Sequence, residues 1–284
     1  MTGADLTPEK AFATLGNETR IDIVRVLGET GGESLSFSEL RERVGTRDSG
    51  QFNYHLTQLV DSFVRRTDDG EYELSYAGGR VVGAIFSGEF NRSAPLGAFP
   101  LDSDCANCGT QLEATYEEER VKICCPGCDE LDTGFGFPPG GVEDRSPAEL
   151  TTVFDRWLRS LFALIIDGIC YNCAGNLSSR LTDDSEYLHP EEPVCIEYVC
   201  DRCTDSSTLS VSSFLYLLPE VGRFYHDHGI DLQRVDMWNA RSFVDSSIAV
   251  ISEDPWQIEA TLYLEDDQLS IVFEDDLTIA TTRE

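Results

Sequence analysis

Cys105-Ala-Asn-Cys108-Gly-Thr-Gln-Leu112 and Cys170-Tyr-Asn-Cys173-Ala-Gly-Asn-Leu177 are two near-copies of one pattern. Each is answered downstream by a second Cys-x-x-Cys, Cys125 with Cys128 and Cys200 with Cys203. Eight of the ten cysteines therefore fall into two sets of four. Four thiolates closing tetrahedrally on one ion is the chemistry of structural zinc, and the expected cofactor is two zinc ions. A closed four-sulfur shell leaves no open position for water, so catalysis at these metals is disfavoured. Their expected role is to staple small β-units that bury too little apolar surface alone.

The first set has 16 residues between its pairs, inside the zinc-ribbon window of about 15–20. Leu112–Tyr116 and Val121–Cys124 alternate like a hairpin, with Glu117–Glu119 as its polar turn. The second set has a longer insert of 26 residues, holding the acidic, Pro-bearing stretch Asp183–Pro193, which reads as a surface loop. Aligning Cys125 with Cys200 sets Val121 against Ile196 and Ile123 against Tyr198. It also sets Cys124 against Val199 and Cys195 against Arg120, so neither spare thiol has a counterpart and both read as non-ligands. Cys124 still competes with Cys125 on spacing. Disulfides, a redox pair or an iron–sulfur cluster are the competing uses of such cysteines.

The chain has 284 residues, which predicts about two domains. No leading apolar stretch resembles a signal peptide, and no run approaches the roughly 18 apolar residues of a membrane span. The expectation is a cytoplasmic protein without a membrane partner, where cysteine pairs more often mean metal than disulfide. Net charge is -31, and Lys10 and Lys122 are the lysines. Acid-rich, lysine-poor surfaces resemble those of proteins from salt-loving archaea. At 1 M salt the screening length is only about 3 Å, so self-repulsion and repulsion from DNA are both suppressed. The charge is uneven: residues 1–92 carry -5 and the remainder -26. Within Arg41–Arg66 five arginines face Glu42, Asp48 and Asp61, a net of +2, which is where a phosphate backbone would dock.

The N-terminal third predicts helices and one hairpin. Thr7-Pro8 reads as a cap followed by proline at the first helical position. Asn17 caps a second helix with Ile21, Val24 and Leu27 on one face, ended by Gly31-Gly32. Ser36-x-x-Glu39 is a capping box for a third, lined by Phe37, Leu40 and Val44 and closed by Gly45. Asp48 or Ser49 caps a fourth, whose buried stripe is Phe52, Leu56, Leu59 and Phe63. Asp69-Gly70 then turns a hairpin over Val64–Leu74. This is the winged helix-turn-helix order. The helix after the turn enters the major groove, and its solvent face offers Ser49, Gln51, Asn53, Tyr54, His55 and Gln58. Amides bond adenine edges bidentately, and Arg47, Arg65 and Arg66 flank the helix as phosphate or minor-groove contacts. His55 reads as DNA-facing because Leu56 already occupies the buried stripe. Ala77–Phe90 predicts a last helix, with Val81, Val82, Ile85 and Phe86 apolar.

Leu15-Gly-Asn-Glu-Thr-Arg-Ile-Asp-Ile-Val-Arg-Val-Leu27 resembles the opening signature of ArsR-type regulators, and Phe52-Asn-Tyr-His-Leu-Thr-Gln-Leu59 is similar to their recognition helix. The resemblance covers about the first third. It implies a homodimer that binds double-stranded DNA, with the last helix in the dimer seam. Phe37–Arg43 lacks the Cys-x-Cys with which several members sense metal, so metal sensing does not transfer. Residues 93–284 resemble the appended zinc-bearing domain of halophilic archaeal relatives.

In the rear portion, Pro147–Asp167 predicts a helix with a broad apolar face built from Leu150, Phe154, Trp157, Leu158, Leu161, Phe162 and Ile165. Ser210–His228 predicts another, which Pro219 kinks or divides. Ser247–Ser252, Gln257–Leu264, Gln268–Phe273 and Leu277–Thr281 read as strands, with turns at Asp266-Asp267 and Asp275-Asp276. Thr133–Gly141 reads as a turn-rich linker. His226-Asp-His228 places its histidines two apart, off a common helix face, and reads as a polar helix end. There is no Walker loop, no HExxH and no GxGxxG unit, so no enzyme is expected.

The expected fold class is α+β: a winged helix-turn-helix over 1–92, a zinc ribbon and linker over 93–145, and an α+β domain over 146–284 holding the second site. The expected function is a transcription regulator that binds DNA, with an effector or a transcription-machinery protein as a further partner. The competing reading is a zinc-ribbon adaptor of the transcription machinery that is not itself sequence-specific on DNA. A thiol redox sensor using Cys124 and Cys195 is the third.

Overall fold

Thr7, Asn17, Ser36 and Asp48 each stand one residue before a helix, and each side chain accepts a hydrogen bond from an amide in the first turn. These caps satisfy donors that no intrahelical carbonyl reaches. They open α1 (Pro8–Leu15), α2 (Glu18–Gly28), α3 (Phe37–Val44) and α4 (Ser49–Leu59) in the computed structural model, which describes residues 6–128, 132–143, 145–184, 188, 192–240 and 244–283. Ser36 and Glu39 close the expected capping box, and Gly45 ends α3 at φ 77°. The hairpin follows as β1 (Val64–Arg66) and β2 (Tyr72–Leu74), in antiparallel register Val64↔Leu74. Leu35 bridges to Tyr72 beside it.

Ile23, Val24, Leu27, Leu40, Phe52, Leu56, Leu59 and Val64 form one core with almost no exposure, each contributing about 1.5–3 kcal/mol by leaving water. The last helix of this unit, α5, spans Tyr76–Ser87 and stops at Gly88, three residues short of the expected end. It is held close by Gly78, where a Cβ would stand 2.0 Å from the Phe63 carbonyl oxygen. Val81 and Val82 pack on the core, whereas Phe86 is 46% exposed. Residues 137–144 return to this unit: a 3-10 turn at Pro139–Gly141 packs on α5, and Arg92 pairs with Glu143 at 2.6 Å.

The second unit comprises residues 95–136 and 145–284. Its first sheet runs β3 (Leu96–Asp104), β4 (Gln111–Glu117), β5 (Arg120–Cys124) and β6 (Asp132–Gly136) in sequence order, all antiparallel. The β4–β5 turn is the two-residue Glu118-Glu119, both at positive φ, as the twist of a tight hairpin demands. Helix α6 (Pro147–Ile166) packs on this sheet, with Phe154 edge-on to Phe135 at 5.9 Å and Thr151 accepting from the Asp102 amide at 3.0 Å. A second sheet holds β7 (Leu177–Thr182), β8 (Cys195–Cys200) and β9 (Ser206–Ser210). Then come α7 (Val211–Tyr216) and α8 (Pro219–Asp227), so Pro219 divides the single helix expected there. The buried Glu192 carboxylate accepts from the Val211 amide at 2.7 Å. A meander, β10 (Ser246–Glu253), β11 (Trp256–Leu264), β12 (Asp267–Glu274) and β13 (Ile279–Arg283), ends the chain.

Among the described residues this is an α+β protein with eight α-helices and four antiparallel sheets. No described helix is long and apolar enough to cross a membrane. Several expectations change. Half of the linker read at Thr133–Gly141 is strand β6. Most of the loop expected at Asp183–Pro193 lies outside the described residues. The β11–β12 turn is Glu265-Asp266, since Leu264 pairs with Asp267. The segment 93–145 is not a domain of its own. Asn239 donates to the Asp104 carbonyl at 2.8 Å and accepts from the Ala106 amide at 3.2 Å. Trp238 donates to Ser103 at 3.1 Å. The chain carrying Trp238 and Asn239 is itself fixed to α6: Asp155 pairs with Arg159 at 2.8 Å and accepts from the Met237 amide at 2.8 Å. Both four-cysteine sets therefore belong to one body.

Candidate metal centres and the exposed face of helix α4

Cys105, Cys108, Cys125 and Cys128 bring their sulfurs within 4.8 Å of one another, and so do Cys170, Cys173, Cys200 and Cys203. The contacts are 3.7 Å for Cys105–Cys128 and 3.4 Å for Cys108–Cys125 in the first set. They are 3.7 Å for Cys170–Cys203 and 3.5 Å for Cys173–Cys200 in the second. A tetrahedron with metal–sulfur bonds of about 2.3 Å has edges of about 3.8 Å, so each quartet fits one ion and is too tight for a multi-atom cluster. No disulfide forms among the described residues.

The sequence repeat is a backbone repeat. In the three Cys-x-x-Cys turns whose following residues are described, the first cysteine's amide donates to the carbonyl five residues on: Cys105 to Thr110, Cys170 to Gly175 and Cys200 to Asp205, each at 2.9 Å. The residue four positions on donates back to the first cysteine: Gly109 to Cys105, Ala174 to Cys170 and Thr204 to Cys200. That residue takes positive φ every time, 69°, 54° and 60°. Glycine does this without strain, whereas Ala174 and Thr204 are held there against it. Amides also face sulfur: Gly127 to Cys125 at 3.3 Å, Arg202 to Cys200 at 3.4 Å and Cys203 to Cys200 at 3.5 Å. Such donors stabilise thiolate and fix its direction.

The thiols of each quartet are unequal. The Thr110 hydroxyl beside Cys108 brings that thiol down to about 6. The Cys203 amide, with the Arg202 amide, brings Cys200 down to about 6. Burial pushes Cys125 and Cys173 up. Four sulfurs in contact cannot all be anionic without a cation among them, and a divalent ion removes that conflict.

The two spare thiols stay outside both quartets. Cys124 ends β5, and Cys195 is buried at the start of β8 with its sulfur against the Thr182 carbonyl at 3.6 Å.

On α4 the side chains of Ser49, Gln51, Asn53, Tyr54 and Gln58 are exposed, as are Arg47, Arg65 and Arg66 around it. Arg65 pairs with Glu73 across the hairpin at 2.8 Å. Arg66 donates to the Gly70 carbonyl at 3.3 Å and lies over the Tyr72 ring. His55 is not on this face. It is 8% exposed, and its Nδ1 is buried without a partner. The signal was present in the spacing: positions 52, 55, 56 and 59 form one i, i+3, i+4, i+7 stripe, so having Leu56 inside places its neighbour inside as well. The paired histidines near the end of α8 separate. His226 is exposed, whereas His228 bonds the Phe224 carbonyl at 2.8 Å and the Asp267 carboxylate at 3.0 Å.

No curated protein and no solved structure matches this chain. Residues 8–85, within the first unit, match the family described as Domain of unknown function (DUF7347). Residues 102–279, the span that contains both quartets, match the one described as Domain of unknown function (DUF7351). With well over half of its length covered by that second match, the chain belongs to the DUF7351 family.

Proposed function

We propose that this chain is a DNA-binding transcription regulator of the cytoplasm. Its first unit is a winged helix-turn-helix, and its second is a zinc-ribbon body stapled by two structural zinc ions. The observation that carries the DNA reading is the polarity of α4. Phe52, Leu56 and Leu59 bury one side while Gln51, Asn53 and Gln58 stand free on the other. An amide row on a helix that follows a turn, with an arginine-bearing hairpin beyond it, suits the major groove and the flanking phosphates. The zinc reading is supported by the softness of eight thiolates, the edge lengths of both quartets and the absence of an open ligand position.

The exposed aromatic side chains of the first unit support a homodimer. Phe12 on α1, Tyr76 and Phe86 on α5, and Phe90 just beyond it are 74%, 85%, 46% and 82% exposed. A second copy would cover them, and a two-fold pair of α4 helices would read two half-sites one helical turn apart.

The test is a mobility-shift selection on genomic DNA fragments at molar potassium chloride. A sequence-preferring complex lost on replacing Gln51, Asn53 and Gln58 together by alanine is the expected result. Binding that is uniform over all fragments contradicts the regulator reading. One observation favours the adaptor reading: Arg65 and Arg66 already have partners within the hairpin, which lowers the charge offered to phosphate. Under that reading a transcription-machinery protein co-purifies with the chain and the triple variant retains it.

A further inference from the structure

The two quartets differ in access. In the second set Cys170 and Cys200 are buried and Cys173 and Cys203 half-buried. The Arg202 side chain reaches back over that set to the Cys173 carbonyl at 3.2 Å. Gly175 closes in so tightly that a Cβ there would stand 3.1 Å from the sulfurs of both Cys173 and Cys200. In the first set Cys108 is exposed, and its sulfur lies 3.4 Å from that of the buried Cys125. No arginine lies over it in the equivalent place: the residue aligned with Arg202 is Gly127.

We propose that the first quartet is a peroxide-reactive modification site and the second a permanent staple. The proposal rests on the two-ion reading above. Cys108 presents its sulfur to solvent, and thiol oxidation follows exposure. Its sulfur attacks one oxygen of hydrogen peroxide. The O–O bond breaks, Cys108 becomes a sulfenic acid, and the other oxygen leaves as water after taking a proton. The Cys125 sulfur then attacks the Cys108 sulfur, the S–S bond forms, and the sulfenic oxygen leaves as a second water with a proton from solvent. Two thiolates have lost two electrons and peroxide has gained them. With two of four ligands consumed, the first site releases its ion while Cys170, Cys173, Cys200 and Cys203 keep theirs. A dithiol reductant with added metal restores the starting state. The outcome is a second unit that loosens at one end only, at β3 to β6, under oxidant.

The experiment uses the full chain carrying both ions, in high salt. Hydrogen peroxide is added, released zinc is followed with a chromogenic chelator, and the remaining thiols are alkylated and mapped by mass spectrometry. The expected result is one equivalent released at least about tenfold faster than the second, because reactivity tracks exposure, with Cys108 and Cys125 joined in the recovered peptides. Arg202→Ala should speed loss of the second ion and leave the first unchanged. Simultaneous loss of both ions, earlier loss from the second site, or a disulfide mapped to Cys173–Cys200 or to Cys124 overturns the proposal and leaves the two-ion reading standing. A chain isolated with no metal in either site contradicts both.

Discussion

Cys195 and Cys200 begin and end the same strand, both with about 1% exposure, and the same substitution at each should have unlike consequences. Cys200 stands in the second quartet, and the two-ion reading makes it one of four ligands. Structural zinc sites contribute about 10–16 kcal/mol of apparent binding free energy at neutral pH, so one thiolate's share is about 3–4 kcal/mol. Cys200→Ser should weaken the second site by two to three powers of ten, at about 1.4 kcal/mol per tenfold. That loss is comparable with much of a domain's total stability of about 5–15 kcal/mol, and it falls on the three-stranded sheet β7–β8–β9. Cys195→Ser removes no ligand. The shorter C–O bond draws the hydroxyl away from the Thr182 carbonyl, and an underbonded buried hydroxyl costs about 1–3 kcal/mol. Urea unfolding of both variants at high potassium chloride, with and without a chelator, separates the two effects. Cys195→Ser should retain two ions and lose stability equally in both conditions. Cys200→Ser should hold its second ion about a hundred to a thousand times more weakly, and chelator should destabilise it less than it destabilises the parent. Equal losses, or departure of an ion from the Cys195→Ser chain, would refute the ligand assignment.

Gly78→Ala should destabilise the first unit by about 3 kcal/mol, the top of the usual overpacking range of about 1–3 kcal/mol, because the clashing atom is backbone at 2.0 Å. Gly83→Ala, with open space around it, should instead gain up to about 1 kcal/mol of helix propensity; thermal melts of both check this. Single alanine replacements of Gln51, Asn53 and Gln58 should each cost about 1–3 kcal/mol at one operator position. Arg47→Ala should weaken all sequences alike and reduce the salt slope, which titrations at several potassium concentrations would read. The Phe224 carbonyl, and then the Asp267 carboxylate, raise His228 above its ordinary 6.5. The stability this bonding confers is therefore fully present below pH 6.5 and lost as pH rises through the raised folded value. Asp267→Asn should flatten that dependence in urea midpoints measured from pH 5.5 to 8.5, and an unchanged slope would remove His228 as its cause.

Local rules carried much of the fold. Thr7, Asn17, Ser36 and Asp48 announce helix starts because a capping side chain replaces a missing backbone partner, and all four helices begin where those residues stand. The grouping of eight cysteines into two quartets was legible because the quartets are built from short loops of fixed spacing, and the repeat separates Cys124 and Cys195 from them. Strands β3, β6, β7 and β9 were not read from the sequence. Thr133-Gly-Phe-Gly136 and Ser206-Ser-Thr-Leu-Ser210 carry glycine or serine where a strand signal needs branched apolar residues, and each is placed by its ladder to the more apolar neighbour, β5 or β8. Nor did residue order disclose that Trp238 and Asn239 clasp the first quartet's loop, a bond across more than 130 positions. His55 differs for another reason: Leu56 on the buried stripe does not exclude its neighbour, because positions 52, 55, 56 and 59 share one face, and His55 is buried with them.

Native mass spectrometry of the intact chain in volatile salt tests the paired metal sites most directly. The predicted mass carries two divalent ions per chain with all ten cysteines reduced, falling by two metal masses per chain on acidification. A mass with no bound metal, or one lowered by the hydrogens of a disulfide within either quartet, would contradict it.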